Sequence, residues 1–389
     1  MHTQQQQQQQ RRAVIVGGSL GGLFAATSLR SIGWDVDVFE RSPHELDSRG
    51  GGLVLQPDVL DAFRFGGIDY TGPLGVRSEY RQFLDARGEI AQRERMPQTQ
   101  TAWSMLYGTL KASLPAGMIR SGVALTGIVR EDADIHARFS DGADVRADLL
   151  IGADGPDSTT RRLLLPGSLP AYAGYVAWRG LVPEPRLDAA AAARLTNAFT
   201  FQQEAGHQLL AYLIPGENGS TVPGERRWNW VWYRRLPAGD ALRAALTDRH
   251  GIVRTHSIPP GAMSDAQRRV LLDAAATHLA PALAALVAAT DAPFMQIIQD
   301  YRAPRMAFGR AALLGDAAFV ARPHTGAGTA KAAANAVSLA RVLDASGNDV
   351  DRALAAWQST QWRYGVQLAN WGIALGKRIM GDGDEARAA

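Results

Sequence analysis

The chain contains no cysteine, which removes disulfides, thiolate metal sites and cysteine nucleophiles together. Any redox chemistry must then come from a bound cofactor, and no metal site is expected. Lysine is nearly absent as well: it occurs only at 111, 331 and 377, so 38 of the 41 basic residues are arginine. A net charge of +3 among 38 acidic residues leaves no basic block, so nucleic acid is not an expected partner. No apolar run reaches the roughly 18 residues that span a bilayer. The longest, Leu279 to Ala289, is interrupted by Pro281, so no membrane partner is expected either. The N-terminus lacks the apolar core of a secretion signal, which sets the expectation of a cytoplasmic protein. Met1 to Gln10 is a glutamine tract with nothing to bury, and reads as a disordered tail.

What is present is enough for two domains, or for one large α/β domain with an insert: 389 residues, 46% of them hydrophobic. Ala13-Val14-Ile15-Val16 has the composition of a buried parallel strand, and it breaks at once into Gly17-Gly18-Ser19-Leu20-Gly21-Gly22. Leu23 to Arg30 has helical spacing, with Gly33 where a left-handed cap belongs. A helix that starts inside a glycine turn aims its unpaired N–H groups and its positive dipole end at whatever lies above, which suits a pyrophosphate. Val36 to Glu40 alternates as a second strand and ends in a carboxylate, where dinucleotide folds place the acid that binds a ribose hydroxyl. Ser19 stands where the fingerprint has glycine.

Further along, Asp47 to Gly52 brings three glycines before a short apolar run and Gln56-Pro57. Val59–Phe65 and Trp103–Leu114 read as helices. Ile135–Phe139 and Val145–Ile151 read as a hairpin ending in Gly152-Ala153-Asp154-Gly155. From about Tyr172 to Asp300 the character shifts to strands separated by Pro/Gly turns. In one of these strands, period two puts Trp228, Trp230 and Trp232 on one face and Asn229, Val231 and Tyr233 on the other. Ala311 to Asp316 is again a strand ending in Gly-Asp. Gly326-Ala327-Gly328-Thr329 then opens a second helix, and a last helix fills 351 to 380.

The glycine turn with Glu40, the stretch Asp154-Gly155-Pro156-Asp157-Ser158-Thr159-Thr160-Arg161, and Gly315-Asp316 with Pro323, Gly326 and Gly328 together resemble the single-component FAD-dependent aromatic hydroxylases of the p-hydroxybenzoate hydroxylase-like group. The runs Gly315 to Ala336 and Gly174 to Gly180 look most like its hydroxypyridine-hydroxylating members. The resemblance implies an α/β fold: a Rossmann-like FAD-binding domain (11–170 and 301–389) with an inserted mixed β-sheet substrate domain (171–300) and a C-terminal helix.

By the same resemblance FAD would be held by Gly17, Ser19, Leu20, Gly22, Glu40, Arg41, Gly52, Gln56, Leu125, Asp154, Asp316, Pro323, Gly326, Gly328 and Thr329. NADPH or NADH would visit as co-substrate with no Rossmann domain of its own. Phe319, Ala330, Asn335 and Trp103 stand where the group usually has histidine, asparagine, aspartate and arginine. The activity implied is a monooxygenase that spends NAD(P)H and O₂ on an electron-rich aromatic or N-heteroaromatic ring through a C4a-hydroperoxyflavin. A flavin oxidase or dehydrogenase, a urate-type hydroxylase, and a non-catalytic nucleotide-binding protein are the alternatives. A homodimer is also compatible with the sequence.

Candidate catalytic groups are Tyr212, His207 and His324. His207 and Tyr212 are five apart, so in a regular strand they point to opposite faces and only one can enter a substrate site. Gln208, Tyr212 and Trp232 are the candidate substrate contacts.

Overall fold

The structure, a computed structural model, describes residues 11–44, 51–131 and 134–381. The glutamine tract and most of the Asp47–Gly52 glycine run lie outside them. In chain order the strands and helices are β1 (Arg12–Val16), α1 (Leu20–Ser31), β2 (Asp35–Glu40), β3 (Gly52–Val54), α2 (Pro57–Phe65), β4 (Val76–Leu84), β5 (Ile90–Ala102), α3 (Trp103–Ala112), β6 (Ile119–Ser121), β7 (Leu125–Arg130), β8 (Ile135–Phe139), β9 (Asp144–Ala147), β10 (Leu149–Gly152) and α4 (Thr159–Leu164). They continue with β11 (Ala171–Pro183), α5 (Ala189–Leu195), β12 (Ala198–Glu204), β13 (His207–Ile214), β14 (Arg227–Arg235), α6 (Asp240–Ala245), β15 (Ser257–Ile258), α7 (Asp265–His278), α8 (Pro281–Ala288), β16 (Phe294–Arg302), β17 (Ala307–Phe308), β18 (Ala311–Leu313), β19 (Phe319–Val320), α9 (Gly328–Ala345) and α10 (Val350–Met380).

The first sheet runs β17-β18-β10-β1-β2-β6 and is parallel except at β17. Its centre is apolar because strands covered on both faces have no solvent side: Ala13, Val14, Ile15, Leu149, Leu150 and Ile151 are fully buried. α1 turns back from it at Gly33, whose φ of +85° is open to glycine without strain.

One expected strand proves to be two. Asp148 accepts from the Arg12 backbone N–H at 2.9 Å and pairs with Arg11, which breaks Val145–Ile151 at that point. β9 stays in the small sheet β7-β8-β9, while β10 enters the parallel sheet beside β1.

The second sheet has ten strands, ordered β15-β16-β11-β14-β13-β12-β4-β5-β3 with β19 joined to β16. It is not confined to 171–300. β3, β4 and β5 come from the first part of the chain, and β4 lies parallel to β12. β5 escaped the sequence reading because the residues Ile90 to Pro97 are all exposed and carry no apolar alternation. α7 and α8 cover one face of this sheet. Against the other face lie β3, whose Gly52 amide donates to Asn229 Oδ1 at 2.7 Å, the 323–326 turn, whose His324 meets Tyr175, and the end of α10, with Ile379 and Met380.

Candidate active site

Three loops meet at the ends of β1, β2, β10 and β18, and the glycines show how tightly. A Cβ on Gly17 would lie 2.5 Å from the Ala153 carbonyl oxygen, one on Gly18 would lie 2.9 Å from Glu40 Cβ, and one on Gly22 would lie 1.8 Å from the Gly17 oxygen. Each is therefore closed to a side chain. Ser19 is not such a position: it is extended, at φ −85° and ψ −176°, a conformation any residue adopts. Its substitution for glycine leaves the turn unstrained.

Ser19 and Ala327 are the N-caps of α1 and α9, and neither gives a side-chain cap. α2, α3, α6 and α8 are likewise without one, whereas Ser158, Asp188, Ser264 and Asp349 do cap their helices. The first N–H groups of α1 and α9 thus remain available to an anionic or carbonyl-bearing group. With glycine-lined backbone around them, they fit the pyrophosphate and ring edge of a flavin dinucleotide.

The acids are held by backbone. Glu40 accepts from Gly18 N–H and Ser42 N–H, each at 2.8 Å; its remaining lone pairs can still accept from a ribose. Asp154 accepts from the Ser158 hydroxyl and from both the N–H and the hydroxyl of Thr160. Burial nevertheless pushes its carboxyl above the usual range, against these bonds. Asp316 pairs with the fully buried Lys331 at 2.7 Å.

Arg41 reaches the Asp157 carbonyl at 3.3 Å, and Gln56 donates to the Gly326 carbonyl at 3.0 Å. Pro323 opens a short 3₁₀ turn ending at Gly326, whose φ is +61°, and Gly328 and Thr329 begin α9. The Leu125 side chain is in the core, while nearby Val123 donates to the Glu40 carbonyl at 3.0 Å.

Sequence reasoning passed over Arg161 as a site element. It is buried, donates to the Pro156 carbonyl and, at 3.1 Å, to that of Ala317, and lies 4.2 Å over the Tyr301 ring. It ties the Asp-Gly and Gly-Asp loops together. Its signal was the position three residues after the Ser158 cap.

Antiparallel register sorts the second sheet. Tyr212 opposes Asn229, and Gln208 opposes Tyr233, which opposes Ala177 on β11. Tyr175, Arg179, Gln208, Tyr212, Asn229 and Tyr233 therefore share one face, and Gly52 lies against it with Tyr212 Cε2 only 2.5 Å from an imagined Cβ. His324 reaches over from the 323–326 turn: its Nε2 is 2.9 Å from the Tyr175 hydroxyl, and its ring centroid 4.2 Å from that of Tyr233.

Burial lowers the His324 pKa to about 4, helped by Arg322. Burial pushes the Tyr212 phenol above its usual value and that of Tyr233 up to about 12, with Arg179 pulling both the other way. Around this face Arg179 Nε, Asn229 Nδ2 and His324 Nδ1 are buried donors or acceptors without a partner.

Two expectations fail here. His207 opposes Arg234 and falls on the opposite face, where its Nδ1 accepts from Trp232 Nε1 at 3.2 Å. Trp232, with Trp228 and Trp230, is fully buried and packs with Leu271, Leu283 and Leu286 of α7 and α8. Period two was read correctly; the apolar helices that follow in the chain decided which face became core.

A cavity of about 650 Å³ between α3 and the β13–β14 loop is lined by none of the residues singled out from the sequence. Among the described residues one group has metal-ligating spacing, Glu131, Asp134 and His136, on the small sheet, where Arg146 already pairs with Asp134.

A parallel sheet with glycine-lined helix starts, acids at its strand ends and an aromatic sheet face opposite has the parts that suit a dinucleotide cofactor. A family model described as FAD binding domain-like matches residues 172–300. The chain is 32% identical to 2,6-dihydroxypyridine 3-monooxygenase of Paenarthrobacter nicotinovorans, over 94% of this chain and 91% of that protein. It is 27% identical to 6-hydroxynicotinate 3-monooxygenase of Bordetella bronchiseptica, over 85% and 82%. The solved structure of 2,6-dihydroxypyridine-3-hydroxylase from Arthrobacter nicotinovorans superposes with a TM-score of 0.89, at 32% identity and over 96% of this chain and 93% of that one. The chain belongs to the FAD-dependent aromatic monooxygenases of the p-hydroxybenzoate hydroxylase-like fold, which use NAD(P)H and O₂ on small aromatic substrates. Among the described residues no helix is long and apolar enough to cross a membrane.

Proposed function

We propose that the protein hydroxylates a hydroxypyridine-type ring bound between the Tyr175–Tyr212–Tyr233 face and the FAD loops. The observation that carries this reading is the set of unmatched buried polar atoms, Arg179 Nε, Asn229 Nδ2 and His324 Nδ1, among aromatic walls. Buried polar groups left without partners are costly, and a ring bearing hydroxyl and ring-nitrogen groups supplies what they lack. The relatives named for dihydroxypyridine and hydroxynicotinate substrates support the same class.

In this reading FAD is held by the residues of the three loops: α1 and α9 N–H groups on its anionic and carbonyl atoms, Glu40 and Asp316 on its hydroxyls. Gly52 and Gln56 set the backbone that covers it, and Asp154 holds its own loop in place. Bound there, FAD supplies electron transfer from NAD(P)H and the activation of O₂.

The chain's own groups prepare the ring. The Arg179 guanidinium favours the ionised substrate, whose electron-rich ring is the better nucleophile. Tyr212 stays protonated because burial raises its pKa, so it acts as a hydrogen-bond donor rather than a base. His324, neutral at pH 7 by its lowered pKa, orients the ring through Nδ1 while Tyr175 fixes Nε2. Gln208, bonded to Gln203 at 2.7 Å, closes the far end of the face. A cytoplasmic location follows from the need for NAD(P)H, and a homodimer completes the proposal; fractionation and size-exclusion chromatography test both.

The decisive experiment is a screen of NADPH and NADH consumption with hydroxypyridines, hydroxybenzoates and purines, under isotopically labelled O₂. The expected result is substrate-stimulated consumption with one labelled oxygen in a hydroxypyridine product. Turnover of purines alone would overturn the substrate class, and peroxide as the sole oxygen product would overturn hydroxylation.

A further inference from the structure

We propose that Lys331 is a positioning residue of the cofactor site: its ammonium fixes the Asp316 carboxylate toward the cleft, and FAD affinity depends on that clamp. The inference rests on the reading of Asp316 as a cofactor contact. Three features set Lys331 apart. It is one of three lysines in a chain that otherwise uses arginine. It is fully buried, at 0% exposure, whereas Lys377 is exposed. It is also the fourth residue of α9, a first-turn position where a cation opposes the helix dipole. A buried charge placed against the dipole persists only when other groups compensate for it, and a local rule broken in this way marks a site with a task.

The compensation is specific. Lys331 Nζ donates to Asp316 Oδ1 at 2.7 Å and to the Phe319 carbonyl. One turn further along α9, Asn335 Oδ1 accepts from the Gly315 N–H at 3.2 Å. α9 therefore holds the whole 315–319 turn at three points. The pair is asymmetric: the Lys331 side chain is sealed, while that of Asp316 is 43% accessible, so its second oxygen is free for a ligand.

The acceptors account for the choice of lysine. A compact ammonium meets Asp316 Oδ1 and the Phe319 carbonyl, whereas a planar five-donor guanidinium needs a wider and better-matched set of acceptors.

The test is FAD titration of the stripped apoprotein by flavin fluorescence quenching, in wild type, Lys331→Met, Asp316→Asn and the double variant. Lys331→Met is expected to weaken FAD binding by about tenfold or more. The double variant should be no more than about twofold weaker than the weaker single, because a residue acting through Asp316 has nothing left to act on once that carboxylate is gone. A merely structural role would instead make the two losses multiply. Binding by Lys331→Met within about twofold of wild type, or multiplied losses, overturns the proposal. If Lys331→Met apoprotein fails to show a cooperative thermal transition, Lys331→Arg takes its place: weakened binding supports the clamp, and wild-type binding overturns it. Wild-type protein that binds no FAD would sink the cofactor reading itself, a result separate from either outcome.

Discussion

The two faces of β13 and β14 are built by alternate residues of the same strands, yet they have opposite characters. On one, Trp228, Trp230 and Trp232 pack with α7 and α8, and Trp230 Nε1 donates to Thr290 at 2.8 Å. Trp228 Nε1 is the one unpartnered indole among them. On the other, Asn229, Tyr233, Gln208 and Tyr212 stand with Arg179, and Arg179 Nε and Asn229 Nδ2 are without partners. Aromatic content does not separate a core from a site, since both faces are rich in it. What separates them is how many buried polar atoms lack a partner, one indole nitrogen on the first face against Arg179 Nε, Asn229 Nδ2 and His324 Nδ1 at the second.

The comparison is broken most severely by Trp230→Ala. It opens a large void and removes the indole donor to Thr290, whose hydroxyl keeps its bond to the Leu286 carbonyl, and should cost about 3–5 kcal/mol of unfolding free energy in urea titration. The folded fraction should keep the yellow flavin absorbance. A flavin lost while stability held would mean that the tryptophan face is part of the site.

Acid should come next. The pKa of His324 lies at about 4 in the folded protein against 6.5 for the free side chain, so below 6.5 the unfolded chain binds the extra proton and stability falls as pH drops toward 4. His324→Gln should lose that part of the dependence in denaturation midpoints taken across this range. The raised pKa of Asp154 acts in the opposite sense, is common to both proteins and cancels in the difference. Equal slopes in the two would refute a buried neutral histidine.

Tyr212→Phe removes one donor from the face opposite the tryptophans. We expect about a tenfold loss in kcat/KM, the worth of one hydrogen bond, with stability unchanged to within about 0.5 kcal/mol. The smallest effect on turnover belongs to His207→Gln: about 1 kcal/mol of stability for the bond from Trp232, and unaltered kcat. A kcat that collapsed in this variant would return His207 to the chemistry.

Much of the first domain was legible in the sequence. Gly17 and Gly33 lie at φ +110° and +85°, and the β1–α1–β2 unit ends in the expected acid. α9 and α10 begin within a residue or two of where the pattern put them. These are local facts, fixed by backbone conformations that few residues can adopt and by apolar periods that neighbouring residues carry. Less legible was the composition of the large sheet, because β4 and β5 lie toward its edge, carry many polar residues, and join it through β12, over a hundred residues away.

By itself, then, the sequence determined the nucleotide-binding unit, the cysteine-free dependence on a cofactor, and the division of each strand into two sets of side chains. Only the tertiary structure decided which set met α7 and α8 and which met β3, the 323–326 turn and α10, putting His207 and Trp232 on the first face and Tyr175, Arg179 and Asn229 on the second. The reason is physical. Alternation is a property of one strand, but burial is a property of what packs against it, and that partner comes from elsewhere in the chain.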